Sequence, residues 1–301
     1  MSDGALKSGT LTRALEDAMG QMTPVTKLGE TVSGRVHDAV LAGGEPTRRV
    51  ADTLHGTWLG HPLHPVLTDV TIGAWMMGAA FDVMGEVTDD DGIRTAADRL
   101  TLIGTLSAGP TAITGLVDYS AAPKPSITSG TLHAGLNYLG VGLYALSLWD
   151  RHKGRRSRGL LWSSLALGLA SASAWLGGHL VYRHRVGVDH SDRFDGPEEW
   201  TPVLDDAELL PGTPRCVSVD GKSVLLYRDG PEIYAVAAVC SHAGAPLEEG
   251  EIDGHHVRCP WHDSVFDLRD GSIEHGPATQ PQPGFEARVR DGSIEIRLWG
   301  P

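Results

Sequence analysis

Four residues near the C-terminus have the types and spacing of a metal centre: Cys240-Ser-His242, sixteen residues, then Cys259-Pro-Trp-His262. Thiolate and imidazole bind zinc and also bind iron–sulfur clusters, so residue type alone leaves both open. A Cys2His2 zinc finger draws both cysteines from one loop and both histidines from the other. Here each loop supplies one Cys followed by one His. That interleaving suits a [2Fe–2S] cluster in which one iron takes two thiolates and the other takes two imidazoles. A single zinc ion held by the same four groups is the alternative. The third cysteine, Cys216, stands apart, and three cysteines give no disulfide framework.

The elements that must hold these loops are short and β-rich. Runs at 215–219, 223–227, 233–239, 256–258, 286–290 and 293–297 are punctuated by Asp-Gly at 220–221, 229–230, 270–271 and 291–292. Residues 202–301 therefore read as one small all-β domain, preceded by a polar, turn-forming linker over 189–201 that includes Asp192 and Asp195.

This stretch resembles the Rieske [2Fe–2S] family. The resemblance rests on the two Cys/His loops, the Asp-Ser-Val-Phe-Asp-Leu run at 263–268, the Asp270-Gly271 turn and Gly276-Pro277-Ala278. It implies a β sandwich capped by two loops, with neutral His ligands facing solvent for electron exchange. The departures narrow the type. Respiratory members carry an extra Cys in each loop, joined as a disulfide, where this chain has Ala245 and Trp261. They also place a Ser and a Tyr after the second His; Ser264 is present, but Phe266 lacks the hydroxyl. Fewer hydrogen bonds to the cluster sulfurs lower its potential, so the domain looks more like the ferredoxins of aromatic-ring oxygenases. An oxygenase's mononuclear iron site would need two His and a carboxylate, and the 39 residues after His262 contain one His.

The 301 residues leave room for a second domain. Residues 1–57 are polar and partly helical, with apolar positions at three-and-four spacing over 27–42 and no cleavable signal. Four apolar stretches follow, at 66–84, 100–119, 132–149 and 160–182, each close to the ~20 residues that cross a bilayer as a helix. Tyr119, Trp149, Trp162 and Tyr182 mark their ends, as interfacial anchors do. Residues 58–188 are thus expected to form a four-helix transmembrane bundle, with a buried bundle of a soluble protein as the alternative. The basic loop 151–158 is expected in the cytoplasm, which puts everything after Tyr182 on the opposite face. Residues 58–188 also resemble an uncharacterised bacterial four-helix membrane family, on the His61-Pro-Leu-His64-Pro box, Gly115-Leu-Val-Asp118 and Gly177-Gly-His-Leu-Val-Tyr182.

His61, His64, His133 and His179 fall toward one end of that bundle in the expected topology. An ionisable residue in a span costs ~2.5–3.5 kcal/mol to insert, so it tends to have a use. One use is axial ligation of haem b by His64 with His133 or His179. The other is capping helix ends and bonding backbone carbonyls. The net charge of −13 argues against nucleic acid. The expected function is membrane-anchored one-electron transfer, with a redox protein or quinone as partner. The alternatives are the ferredoxin component of a separately encoded oxygenase and a redox sensor.

Overall fold

Residues 10–191 and 196–299 are described by a computed structural model. Residues 1–9, 300–301 and, in the expected linker, Asp192 and Asp195 lie outside them. The chain forms two compact units, one of residues 1–39 with 64–186 and the other of 40–63 with 187–301.

The first unit is helical. Helices α1 (Thr10–Gly20) and α2 (Thr23–Ala42) precede four long helices, α4 (Leu63–Thr88), α5 (Asp91–Ser120), α6 (Ile127–His152) and α7 (Arg156–Tyr182). The amphipathic segment expected at 27–42 lies in α2 and packs on the long helices: Ser33 Oγ donates to the Tyr119 and Ser120 carbonyls (3.2 Å each). Asp90 caps α5, its Oδ1 accepting from Gly92 N (2.7 Å) and Ile93 N (3.0 Å). Three of the long helices, α4, α5 and α7, are long and apolar enough to cross a membrane. The third expected span forms α6 but falls short of that, because His133, Asn137 and Asp150 dilute its apolar residues.

Helices α4 and α6 meet through three pairs of residues, each pair 69 positions apart. The rings of His64 and His133 lie 6.4 Å apart. Trp75 stacks on Tyr144 at 4.3 Å and 14°. Asp82 makes a bidentate ion pair with Arg151 (2.6 and 2.7 Å). Steps of 11 and 7 residues return to one helix face, so the three pairs form a single seam between parallel helices. The same correspondence runs through α5 and α7, where buried Thr101, Ala108 and Thr111 match buried Ser163, Ala170 and Ser173, 62 positions on. By these offsets the hairpins α4–α5 and α6–α7 correspond as two repeats, with His64 and His133 the first pair of the seam.

The second unit holds α3 (Gly44–His55) and ten strands. Six form one sheet in the order β1 (Thr201–Asp205), β10 (Ser293–Leu298), β9 (Gly284–Arg290), β4 (Glu232–Ala237), β3 (Lys222–Asp229) and β2 (Arg215–Val219). Four form the other, in the order β5 (Glu251–Asp253), β6 (His256–Arg258), β7 (Val265–Asp267) and β8 (Ile273–His275). The Asp220-Gly221 and Asp291-Gly292 turns have both residues at positive φ, as tight hairpins require. Val236, Leu247, Val257 and Phe266, each with no exposed surface, are part of the core beneath the second sheet.

Candidate iron–sulfur site

The first Cys/His loop follows β4 and the second joins β6 to β7. Backbone pairing forces both loops into tight turns: Gly244 N donates to the Cys240 carbonyl (2.9 Å) and Asp263 N to the Cys259 carbonyl (3.2 Å). The turns aim backbone N–H groups at sulfur, those of His242 and Ala243 at Cys240 and those of Trp261 and His262 at Cys259. Both cysteines are buried and free of disulfide. Their thiols hydrogen-bond one another, which holds Cys240 up and draws Cys259 down to about 7.

His242 and His262 stand edge to face with ring centroids 5.0 Å apart. His242 Nδ1 is buried with no hydrogen-bond partner among the described residues, and His262 Nδ1 is buried as well. Burial, followed by the neighbouring His262, His55 and His190, pushes His242 well below the usual imidazole range. Two thiols and two imidazoles, with the buried Nδ1 of His242 meeting no donor or acceptor among the described residues, are the donor set a [2Fe–2S] cluster needs.

A third loop supports the other two. Ser241 Oγ donates to the Gln280 carbonyl (2.7 Å), and Gln282 Oε1 accepts from Ser241 N (2.9 Å). Ala278 N donates to Ser264 Oγ (3.0 Å). Two segments distant in sequence then pack on these loops. From α3, Arg48 Nη2 donates to the Asp263 carbonyl (3.1 Å). Asp52 accepts from Gly276 N at Oδ1 (2.8 Å) and from His275 Nδ1 at Oδ2 (2.9 Å). After α3, the Gly60 carbonyl accepts from Gln280 Nε2. From the far side of the helical unit in sequence, His190 N donates to the Ser241 carbonyl (2.8 Å). His242 and His262 are each part-exposed, and His55, itself buried, and His190 stand near His242. Sequence reasoning missed Asp52, His55 and His190, whose only signal is closeness in sequence to the ends of the long helices.

The four histidines singled out in the helical region separate. His64 and His133 face each other. His179 instead stacks on Trp175 (5.4 Å) and meets His184 edge-on (5.0 Å), with Glu16 at 3.8 Å. His61 is exposed and belongs to the second unit. Asp82, in the first expected span, pairs with Arg151 and Arg156.

Paired Cys–His loops over one end of a two-sheet β unit define a small iron–sulfur electron-transfer domain. Residues 199–286 match the Rieske [2Fe-2S] domain. Over 98 residues the chain is 35% identical to ferredoxin CarAc of Metapseudomonas resinovorans, spanning 32% of this chain and 92% of that protein. It is 31% identical over 100 residues to the anthranilate 1,2-dioxygenase ferredoxin subunit of Burkholderia cepacia, spanning 33% of this chain and 93% of that protein. The solved ferredoxin of carbazole 1,9a-dioxygenase from Nocardioides aromaticivorans aligns at 31% identity over 33% of this chain and 98% of that one, with a TM-score of 0.32. Through this C-terminal domain the chain belongs to the Rieske [2Fe–2S] family. Residues 60–190 match a second family, described as a predicted membrane protein (DUF2231).

Proposed function

We propose that this protein is a membrane-anchored one-electron carrier whose Rieske cluster is held by Cys240, His242, Cys259 and His262. The observation that carries the proposal is the buried, unpartnered Nδ1 of His242 beside His262 and two buried thiols. When bound, the cluster supplies a one-electron couple. The chain's own part is to neutralise and orient. N–H groups aimed at sulfur stabilise thiolates, burial favours neutral His242, and α3 and His190 hold the two loops through their backbone carbonyls. Anchoring is supported by three helices long and apolar enough to cross a membrane and by the match over 60–190. A multi-pass arrangement with the Rieske unit on the non-cytoplasmic face, and a relay to haem or quinone in the helical unit, belong to the same proposal.

Electron resonance of the reduced full-length protein in membranes tests it. A Rieske-type signal is expected, lost in Cys240→Ser and in His262→Ala. One zinc per chain with no iron signal would overturn it. A labelling test with single cysteines introduced near residue 153 and near residue 299 reads the orientation.

The relative named as a dioxygenase ferredoxin subunit favours a second reading, in which the domain reduces a separately encoded oxygenase. Rapid reoxidation of the reduced protein by such an oxygenase, but not by membrane redox components, would select it.

A further inference from the structure

His64 and His133, which correspond in the two repeats, stand with their rings 6.4 Å apart and nearly perpendicular. His64 Nδ1 lies 2.9 Å from the Thr111 carbonyl, and His133 Nδ1 lies 2.8 Å from the Ser173 carbonyl. A carbonyl only accepts, so each Nδ1 carries the proton and each Nε2 keeps its lone pair. The Asn137 amide donating to His133 Nε2 (3.2 Å) agrees with that assignment. A backbone acceptor on the far nitrogen is the support that metal-bound histidines characteristically have. Thr111 and Ser173 correspond in the two repeats, so the anchoring is duplicated along with the histidines.

Each ring also rests on a glycine of the next helix. A Cβ at Gly115 would meet His64 Cε1 at 2.7 Å, and one at Gly177 would meet His133 Cε1 at 3.3 Å. These glycines correspond as well, and the first admits no side chain without displacing its histidine. The ring separation supplies the remaining clue. A metal lies about 2.0–2.1 Å from an imidazole nitrogen, so two rings sharing one metal through opposed nitrogens have centroids roughly 6.3–6.5 Å apart. The observed spacing is 6.4 Å.

We infer that His64 and His133 are the two axial ligands, through Nε2, of one iron porphyrin between α4 and α6. Neutral nitrogen ligands on opposite sides of one atom suit a metal whose other positions are filled by a planar macrocycle. The apolar bundle favours a lipophilic macrocycle over a hydrated ion. The nitrogen now bonded to Asn137 becomes the second ligand when that amide turns away. As an electron relay the site rests on the Rieske reading above; as a ligand pair it rests on this geometry alone.

The test is an optical and electron-resonance study of the full-length protein, purified from membranes of cells supplied with haem precursor. One low-spin, six-coordinate haem b per chain is expected. His64→Ala and His133→Ala should each cut haem per chain at least tenfold while keeping the Rieske resonance as a check on folding. His61→Ala and His179→Ala should leave it unchanged. If the histidine variants fail to fold, haemin titration of the haem-free wild type decides: a low-spin spectrum saturating at one equivalent supports the assignment. Wild type with a full Rieske signal that neither carries nor takes up haem overturns it. So does zinc or copper bound at the histidines in its place, or haem retained in the His64→Ala/His133→Ala double variant. A Soret band without a Rieske signal would sink the electron-carrier reading and leave this one standing.

Discussion

Ser264 Oγ accepts the Ala278 N–H, so its own hydrogen remains available to the candidate cluster, whereas fully buried Phe266 has none to offer. Hydrogen bonds to sulfur or thiolate stabilise the reduced, more negative state. Phe266→Tyr is therefore expected to raise the reduction potential in a redox titration followed by electron resonance; an unchanged or lower value would show that position 266 does not tune the site. Asp267 offers a second test at this scale. The hydrogen bond from Arg269 (2.5 Å) holds its carboxyl below the usual carboxylate range. A lowered carboxyl contributes stability above the ordinary carboxylate range and loses it as pH falls through the folded value. Arg269→Ala should move acid unfolding of the β unit slightly to higher pH, the effect being small because Arg269 is exposed and its charge screened. The candidate ligands were legible because two short loops carry the whole pattern. His55 and His190 were not, because their proximity to His242 depends on chain folded from far away.

Among the α-helices, α3 has the least apolar sequence, and its polar side chains reach the candidate site. Asp52 takes two donors from the loop that backs the site, and Arg48 takes the carbonyl that follows His262. Asp52→Ala strands the Gly276 N–H and is expected to cost about 1–3 kcal/mol in denaturant unfolding, with faster proteolysis within residues 40–63. Asp52→Asn keeps the oxygen that Gly276 uses and should cost less. No periodicity reveals such a dock, since it is built from polar side chains meeting backbone. The bundle hides its design in a related way. Its repeats match His with His, Trp with Tyr and Asp with Arg, pairs that contact one another and whose identities mostly differ. Asp82→Asn removes one of the two carboxylates paired with the buried Arg151 guanidinium, Asp98 at 2.7 Å being the other, and is expected to cost less than the about 3–5 kcal/mol of a fully broken buried pair, read as a lower Tm in detergent. Asp82→Leu with Arg151→Leu should recover much of that loss.

Over the whole molecule, neither unit is continuous in sequence: the chain passes between them after residues 39, 63 and 186. The hydropathy profile shows an apolar block followed by a β-rich block, and it captures their contents but not this interleaving. Residues 40–63 look like an N-terminal tail in sequence because what they pack on is encoded beyond Gly187. That arrangement has a cost in time. A ribosome adding about 5–20 residues per second finishes α3 and then needs roughly 10–50 s to reach the last strand. Throughout that interval α3 has no surface to occupy, while the long helices encoded between are already made. Closing the cap over the second Cys/His loop is accordingly among the last events in the protein's maturation, which leaves a window in which the thiols and imidazoles can be loaded before the door shuts.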